Sequence, residues 1–265
     1  MRLLVLVPIL AACTAADTEI ATPDSGATQR FVIDDFTFPT SEDEATALGS
    51  DLDGDGFVDN EIGMAISALS TEADIRDDTS IRALIGSGQV PSSIEIFGSD
   101  DVVGVRYDAT QGSGGTVLRG SPVDGGFATV ALQRAETTLL LPALVDADPT
   151  PLVLDYVQMQ LAPTGSGGYD VRVQGLVEPV PAANAVCIGL LQMIANNPAA
   201  HAGVIEILDG LGSDNEPPTM AQCLKSSAIE SLLAPDVEQG SDRAAFVSIG
   251  IALHVFTPRN VPPFE

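Results

Sequence analysis

The stretch VSIGIALHV, residues 247–255, alternates strictly between large apolar residues and small or polar ones. Successive side chains of a β-strand point to opposite faces, so this alternation predicts a strand with one buried face. The predicted buried face contains Val247, Ile249, Ile251, Leu253 and Val255, and the other face contains Ser248, Gly250, Ala252 and His254. A strand that is so apolar on one face must pair within a sheet, and the fold is therefore expected to be built on β-structure.

Shorter β-prone segments precede this strand and supply the rest of the expected sheet. Val103, Val105 and Tyr107 alternate with Gly104 and Arg106, and Phe31 and Ile33 predict a short strand near the start of the folded body. Further candidates are 127–132, 138–141, 152–161 and 169–175, the last two separated by the glycine-rich run 164–168 that predicts a hairpin. Strands at this spacing favour an antiparallel β-sandwich or barrel.

Helical periodicity appears on both sides of this β-region. At the N-terminal side, Ser41 and Glu44 form an S-x-x-E capping box before a short acidic helix that Gly49 should end. A second helix is predicted from the spacing of Ile62, Ile66 and Leu69, and a third over 79–85. At the C-terminal side, helices are predicted around 186–194 and 204–211, and a second capping box at Thr219 to Gln222 opens another.

Residues 51–59, DLDGDGFVD, place carboxylates at alternate positions around two glycines. Calcium takes about six to eight oxygen ligands from a chain that wraps around it, and alternate residues of such a wrap point inward. The run resembles the calcium loops of EF-hand, dockerin and thrombospondin type 3 proteins. Its alternative interpretation is an acidic turn without a metal.

The resemblance implies a specific set of calcium ligands. Side-chain ligands would be Asp51, Asp53 and Asp55, the carbonyl ligand Phe57, and the direct or water-mediated ligand Asp59. It also implies that Val58 anchors the loop to the core. The chain departs from an EF-hand at the last position, where Ile62 replaces the bidentate glutamate, and Glu61 is the nearest substitute. This departure predicts weak calcium affinity.

The first residues predict a targeting signal. After Met1-Arg2 and the apolar run from Leu3, the sequence Leu10-Ala11-Ala12-Cys13 resembles the lipobox of bacterial lipoproteins. The resemblance implies cleavage before Cys13, lipidation of that residue, and anchoring in the bacterial cell envelope, in the outer membrane or at the cell surface. The alternative is an ordinary secretory signal in which the cysteine is incidental.

The remaining two cysteines, Cys187 and Cys223, form an even pair. An exported protein meets an oxidising compartment, so a disulfide between them is expected, with Cα atoms within about 7 Å of each other. Two buried free thiols are the alternative.

These patterns together predict an α+β fold with six segments. An antiparallel β-sandwich or barrel carries an N-terminal helix–loop–helix calcium segment and a helical insertion before its last strand. The segments are a signal peptide (1–12), a flexible tether (13–30), the helical calcium-loop segment (31–90), the β-sheet domain (91–178), the helical insertion (179–240) and the final strand (241–265).

Composition excludes some functions and leaves others open. A net charge of −26 disfavours nucleic acid as a partner, and the absence of Trp disfavours stacking on sugars. His201 and His254 are the only histidines, each expected to be a surface or packing residue, and no G-x-S-x-G motif follows a predicted strand. The favoured function is that of a calcium-stabilised cell-envelope lipoprotein with a structural or adhesive role, whose partners are the membrane, calcium and other envelope or surface proteins. The alternative is an exported hydrolase.

The lipobox yields the first prediction. Cys13→Ser removes the thiol that would receive the lipid, so the variant should remain an unlipidated precursor. Metabolic labelling with a fatty acid should mark the wild-type protein and not the variant. Label retained by the variant would contradict the assignment.

Overall fold

The computed structural model describes residues 29–70, 75–90, 93–99, 102–108, 117–129, 131–165, 167–208, 217–240 and 243–256. The predicted signal peptide, Cys13 and residues 14–28 of the tether lie outside the described residues.

Ten strands in the described ranges form one antiparallel sheet that closes on itself as a ring. The strands are β1 Gln29–Thr37, β2 Ser93–Ser99, β3 Val102–Asp108, β4 Val117–Val123, β5 Gly126–Thr129, β6 Gln133–Leu141, β7 Thr150–Pro163, β8 Gly168–Val177, β9 Val237–Gln239 and β10 Ala244–Phe256. The order around the ring is β1-β2-β3-β4-β5-β7-β8-β10, and β10 pairs back onto β1, while β6 pairs with β7 and β9 with β10. A sheet-rich α+β fold is confirmed at this level.

Seven helices in the described ranges fall into the two groups expected from the sequence. The first group lies between β1 and β2 and consists of α1 Glu42–Leu48, α2 Glu61–Leu69 and α3 Asp78–Gly86. The second lies between β8 and β9 and consists of α4 Pro179–Asn196, α5 Ala202–Ile207, α6 Met220–Cys223 and α7 Ser227–Leu232. Because β1 pairs with both β10 and β2, the segment 31–90 begins with a full member of the sheet before its helices.

The two predicted capping boxes have different outcomes. At α6 both reciprocal bonds form between Thr219 and Gln222. At α1 the Ser41 hydroxyl accepts from the Glu44 N–H, but the Glu44 carboxylate turns to Thr40. Thr40 offers both its backbone N–H, at 2.8 Å, and its hydroxyl, at 2.9 Å. Two donors outcompete the single N–H of Ser41, so this part of the prediction is wrong.

The final strand lies where its alternation predicted, at the centre of the core. Its apolar residues Val247, Ile249 and Ile251 are buried, but Ser248 and Gly250 on the opposite face are buried as well. That face is covered by α1, α2 and the loop between them. Gly250 has to be glycine, since a Cβ there would overlap the Leu48 carbonyl oxygen at the end of α1.

Asn60 holds these helices to the strand. Its side-chain oxygen accepts from Gly63 N–H at 3.0 Å, capping α2, and from Gly250 N–H at 2.6 Å. Its amide nitrogen donates to the Ala45 carbonyl at 2.8 Å and to the Gly250 carbonyl at 3.1 Å. With 2% of its surface exposed, this one amide joins α1, α2 and β10 in a water-poor site, where hydrogen bonds are strongest.

A disulfide joins α4 to α6. Cys187 and Cys223 are buried, with an S–S distance of 2.10 Å and a Cα–Cα separation of 5.9 Å, which meets the limit expected for the pair. By length and composition α4 could cross a membrane, but its buried side contacts β7 and β10 as a core helix does.

Asn60→Ala should lower the free energy of unfolding by about 3–5 kcal/mol, since it removes the partner of the buried Gly63 N–H and of the buried N–H and carbonyl of Gly250. Denaturant unfolding measures this loss. Asn197→Ala is the matched control, because Asn197 is exposed at the end of α4, and it should cost less than about 1 kcal/mol. Equal losses in the two variants would contradict the role given to Asn60.

Candidate metal centre

The aspartate loop connects α1 to α2 and is closed at its base by backbone pairing. Ser50 and Asp59 form an antiparallel bridge in which Asp59 N–H donates to the Ser50 carbonyl at 2.9 Å. Gly54 and Gly56 adopt φ values of 84° and 93°, which side-chain-bearing residues rarely reach. The two glycines therefore allow the loop to make its sharp turns.

Loop carboxylates are fixed by the loop's own backbone. Asp51 accepts from Gly54 N–H at 2.7 Å with one oxygen and from Gly56 N–H at 3.0 Å with the other. Asp53 accepts from Asp55 N–H at 3.1 Å, and Asp55 accepts from Phe57 N–H at 2.8 Å. Such local bonds orient the acids before any ligand arrives.

Three of the predicted ligands converge. Oxygen atoms from Asp51, Asp53 and Asp59 all lie within 4.8 Å of one another, in a group able to hold a metal ion. Asp55 and Glu61 are not members of this group. Phe57, the expected carbonyl ligand, has a side chain that is 74% exposed.

The prediction that Val58 anchors the loop to the core is wrong. Val58 is 44% exposed, and Leu52 packs instead against the apolar cluster of Leu176, Val237 and Phe246. Leu52 can reach that cluster because the Ser50–Asp59 bridge holds the start of the loop against the sheet. Val58, one residue before the bridge on the other side, lies with its Cγ1 beside Gly49 and remains partly exposed.

Polar side chains from the sheet complete the attachment of the loop. The Ser50 hydroxyl donates to Gln174 Oε1 at 3.0 Å, and Gln174 Nε2 donates to the Leu48 carbonyl at 3.0 Å. Gln158 on the neighbouring strand donates to the same Gln174 oxygen at 2.7 Å. The base of the loop is thus bonded to β7 and β8.

Asp59 lies where the loop meets the core, and only 5% of its surface is exposed. Burial raises the pKa of its carboxyl to about 6, opposed by the hydrogen bond from Leu52 N–H. The carboxylates of Asp236, Asp53 and Asp55 raise that pKa further. A negative charge at Asp59 is therefore costly unless a cation offsets it.

Asp236 is an acidic neighbour of Asp59 that no sequence pattern indicated. Burial raises the pKa of the Asp236 carboxyl, although hydrogen bonds from the Ser248 hydroxyl and N–H lower it. The pKa of Glu61 is raised first by its own burial and then by the charge of Asp236. Asp236 follows Pro235 in a segment with no metal-ligand spacing. Only the pairing of β9 with β10 brings it to the loop.

Each histidine lies beside a carboxylate. His254 is half-exposed on β10, with Nδ1 2.5 Å from Asp34 Oδ1. His201 is buried at the start of α5, and its Nε2 lies 3.5 Å from Asp146 Oδ2. The two rings therefore match the expected surface and packing positions, but they are not free of acidic neighbours.

Compared with protein-family models, with curated proteins and with solved structures, the chain matches none of them.

The raised pKa of Asp59 predicts how the calcium-free protein responds to pH. A carboxyl with a folded pKa of about 6 and an ordinary value of 3.8 contributes stability below pH 3.8 that is lost as the pH rises through 6. In chelator, the wild-type free energy of unfolding should therefore fall over this range.

Asp59→Asn keeps an acceptor for Leu52 N–H and removes the charge. In chelator at about pH 7.5 it should melt a few degrees above the wild type, and this difference should vanish near pH 4. Asp43→Asn, on the exposed side of α1, is the charge-matched control and should show the wild-type pH dependence. Parallel pH curves for wild type and Asp59→Asn would contradict the prediction.

Proposed function

We propose that this chain is a calcium-stabilised lipoprotein of the bacterial cell envelope with a structural or adhesive binding role. The observation that carries the calcium part is the convergence of Asp51, Asp53 and Asp59 within 4.8 Å on a loop that is bonded to the sheet. Hard carboxylate oxygens on a wrapped loop are the ligands that calcium prefers.

The remaining coordination positions would be filled by the Phe57 carbonyl and water, with Asp55 or Glu61 joining after small movements. The position of a bidentate glutamate is occupied by Ile62, whose side chain is buried in the core. Affinity is therefore expected on the order of 10⁻⁵–10⁻⁴ M, which suits extracellular calcium near millimolar levels.

Calcium would act here as a structural staple. The loop joins α1 to α2, and both helices contact β10 at the centre of the sheet. A cation bound only by the folded loop stabilises the fold by about 1.4–2.7 kcal/mol at ten- to hundredfold excess over the dissociation constant.

The envelope part of the proposal rests on the lipobox at Cys13. Lipid on that residue would anchor the protein to a membrane, and the residues up to 28 would separate the anchor from the strand that begins at Gln29. A net charge of −26 is compatible with a soluble surface that meets other envelope or surface proteins.

An exported hydrolase is the second candidate, favoured by the His254–Asp34 pair. A carboxylate at 2.5 Å from Nδ1 orients the ring as a general base would require. Hydrolysis by a triad would also need a serine beside Nε2 of that ring. Esterase activity that is measured in the wild type and lost in His254→Gln would favour this candidate over a structural role.

Thermal melts test the calcium proposal. The wild-type midpoint should rise by several degrees from chelator to millimolar calcium, and Asp51→Asn with Asp53→Asn should abolish the rise. Asp43→Asn should retain it. Asp55→Asn should keep most of it if Asp51, Asp53 and Asp59 are the main ligands, and lose it if Asp55 moves in to coordinate.

Calorimetry with calcium and with magnesium completes the test. Magnesium should bind more weakly, since its small octahedral shell accepts fewer and shorter oxygen contacts than the loop offers. An unchanged wild-type midpoint together with no heat of calcium binding would reduce the loop to an acidic turn.

A further inference from the structure

The edge of β10 that faces away from β8 is completed by two different strands with a gap between them. β9 pairs with Ala244 to Phe246, and β1 pairs from Ala252 onward. The intervening stretch, residues 247–251, has no strand partner on this edge in the described part of the chain. We refer to this stretch as the edge gap.

Two side chains take the place of a strand in the edge gap. Ser248 N–H donates to Asp236 Oδ1 at 2.8 Å, and Gly250 N–H donates to Asn60 Oδ1 at 2.6 Å. The Gly250 carbonyl accepts from Asn60 Nδ2 at 3.1 Å. The amide of Asn60 therefore offers one donor and one acceptor to β10, as a peptide group of a neighbouring strand would.

These side chains are connected directly to the aspartate loop. Asn60 follows Asp59, a member of the carboxylate group, and the next residue, Glu61, donates its N–H to the Ser248 hydroxyl at 2.8 Å. That hydroxyl in turn donates to Asp236. Asp59, Asn60 and Glu61 thus link the loop to the three hydrogen bonds that close the edge gap.

We infer that calcium in the aspartate loop controls the closure of the edge gap, so that the loop is a cation-dependent latch on β10. The inference rests on the proposed calcium binding. Without a cation, the carboxylate of Asp236 repels those of Asp59 and Glu61 across the contact between loop and strand. With calcium on Asp51, Asp53 and Asp59, one of these charges is neutralised and Asp59 is held, which holds Asn60 against Gly250.

Amide hydrogen exchange of Ser248 and Gly250 reports the latch directly, because these two N–H groups donate to the bridging side chains. If opening the latch releases calcium, exchange at both amides should slow about ten- to a hundredfold at calcium concentrations ten to a hundred times the dissociation constant. Ile81 N–H, which bonds within α3 to Asp77, is the internal control and should change much less.

Variants separate the latch from the calcium site. Asp51→Asn leaves every bridging hydrogen bond intact but weakens the metal group, so its Ser248 and Gly250 amides should exchange at the calcium-free rate in both conditions. Asp43→Asn should behave as the wild type. Calorimetry on the same samples reports calcium binding independently.

Each outcome decides between the two proposals. Calcium binding with unchanged exchange at Ser248 and Gly250 would overturn the latch and leave the calcium site in place. Equal slowing at Ile81 would also overturn it, because the effect would then be global. No heat of binding and no change in exchange would overturn both proposals.

Discussion

The amide side chain of Asn60 is the contact on which the arrangement of this protein depends. It caps α2, donates a hydrogen bond to the Ala45 carbonyl of α1 and pairs with the backbone of Gly250 in the middle of β10. A buried amide is a demanding group, since each of its donors and acceptors must be satisfied. Here the partners come from three separate elements, so the amide fixes the helices and the aspartate loop relative to the sheet.

Local patterns were sufficient to predict most elements and the hairpin of β7 and β8, but not the pairing of strands distant in sequence. Alternation located β10, and periodicity located α2 and α4, because both signals lie within a few residues. Closure of the sheet by β1 and β10 joins two strands that are far apart in the sequence, for which no local pattern exists. The disulfide was predictable only because two cysteines remained once Cys13 was assigned to the lipid.

The same limit applies to the candidate metal centre. Alternating aspartates and glycines identified the loop, and Asp51, Asp53 and Asp59 do converge. The anchor at Leu52 and the acidic neighbour Asp236 were missed, since each depends on tertiary packing against β9 and β10. A family resemblance predicts which loop residues are ligands. The electrostatic environment of the loop, however, depends on the charged residues that the rest of the fold places next to it.

The pairing of β1 with β10 also sets the order in which the protein can fold. Val32 pairs with Phe256, so the ring cannot close until β10 has emerged from the ribosome. Contacts so distant in sequence slow folding, and until they form the backbone edges of β1 and β8 are open to other chains. A truncation that removes β10 would therefore produce an aggregation-prone fragment rather than a smaller folded protein.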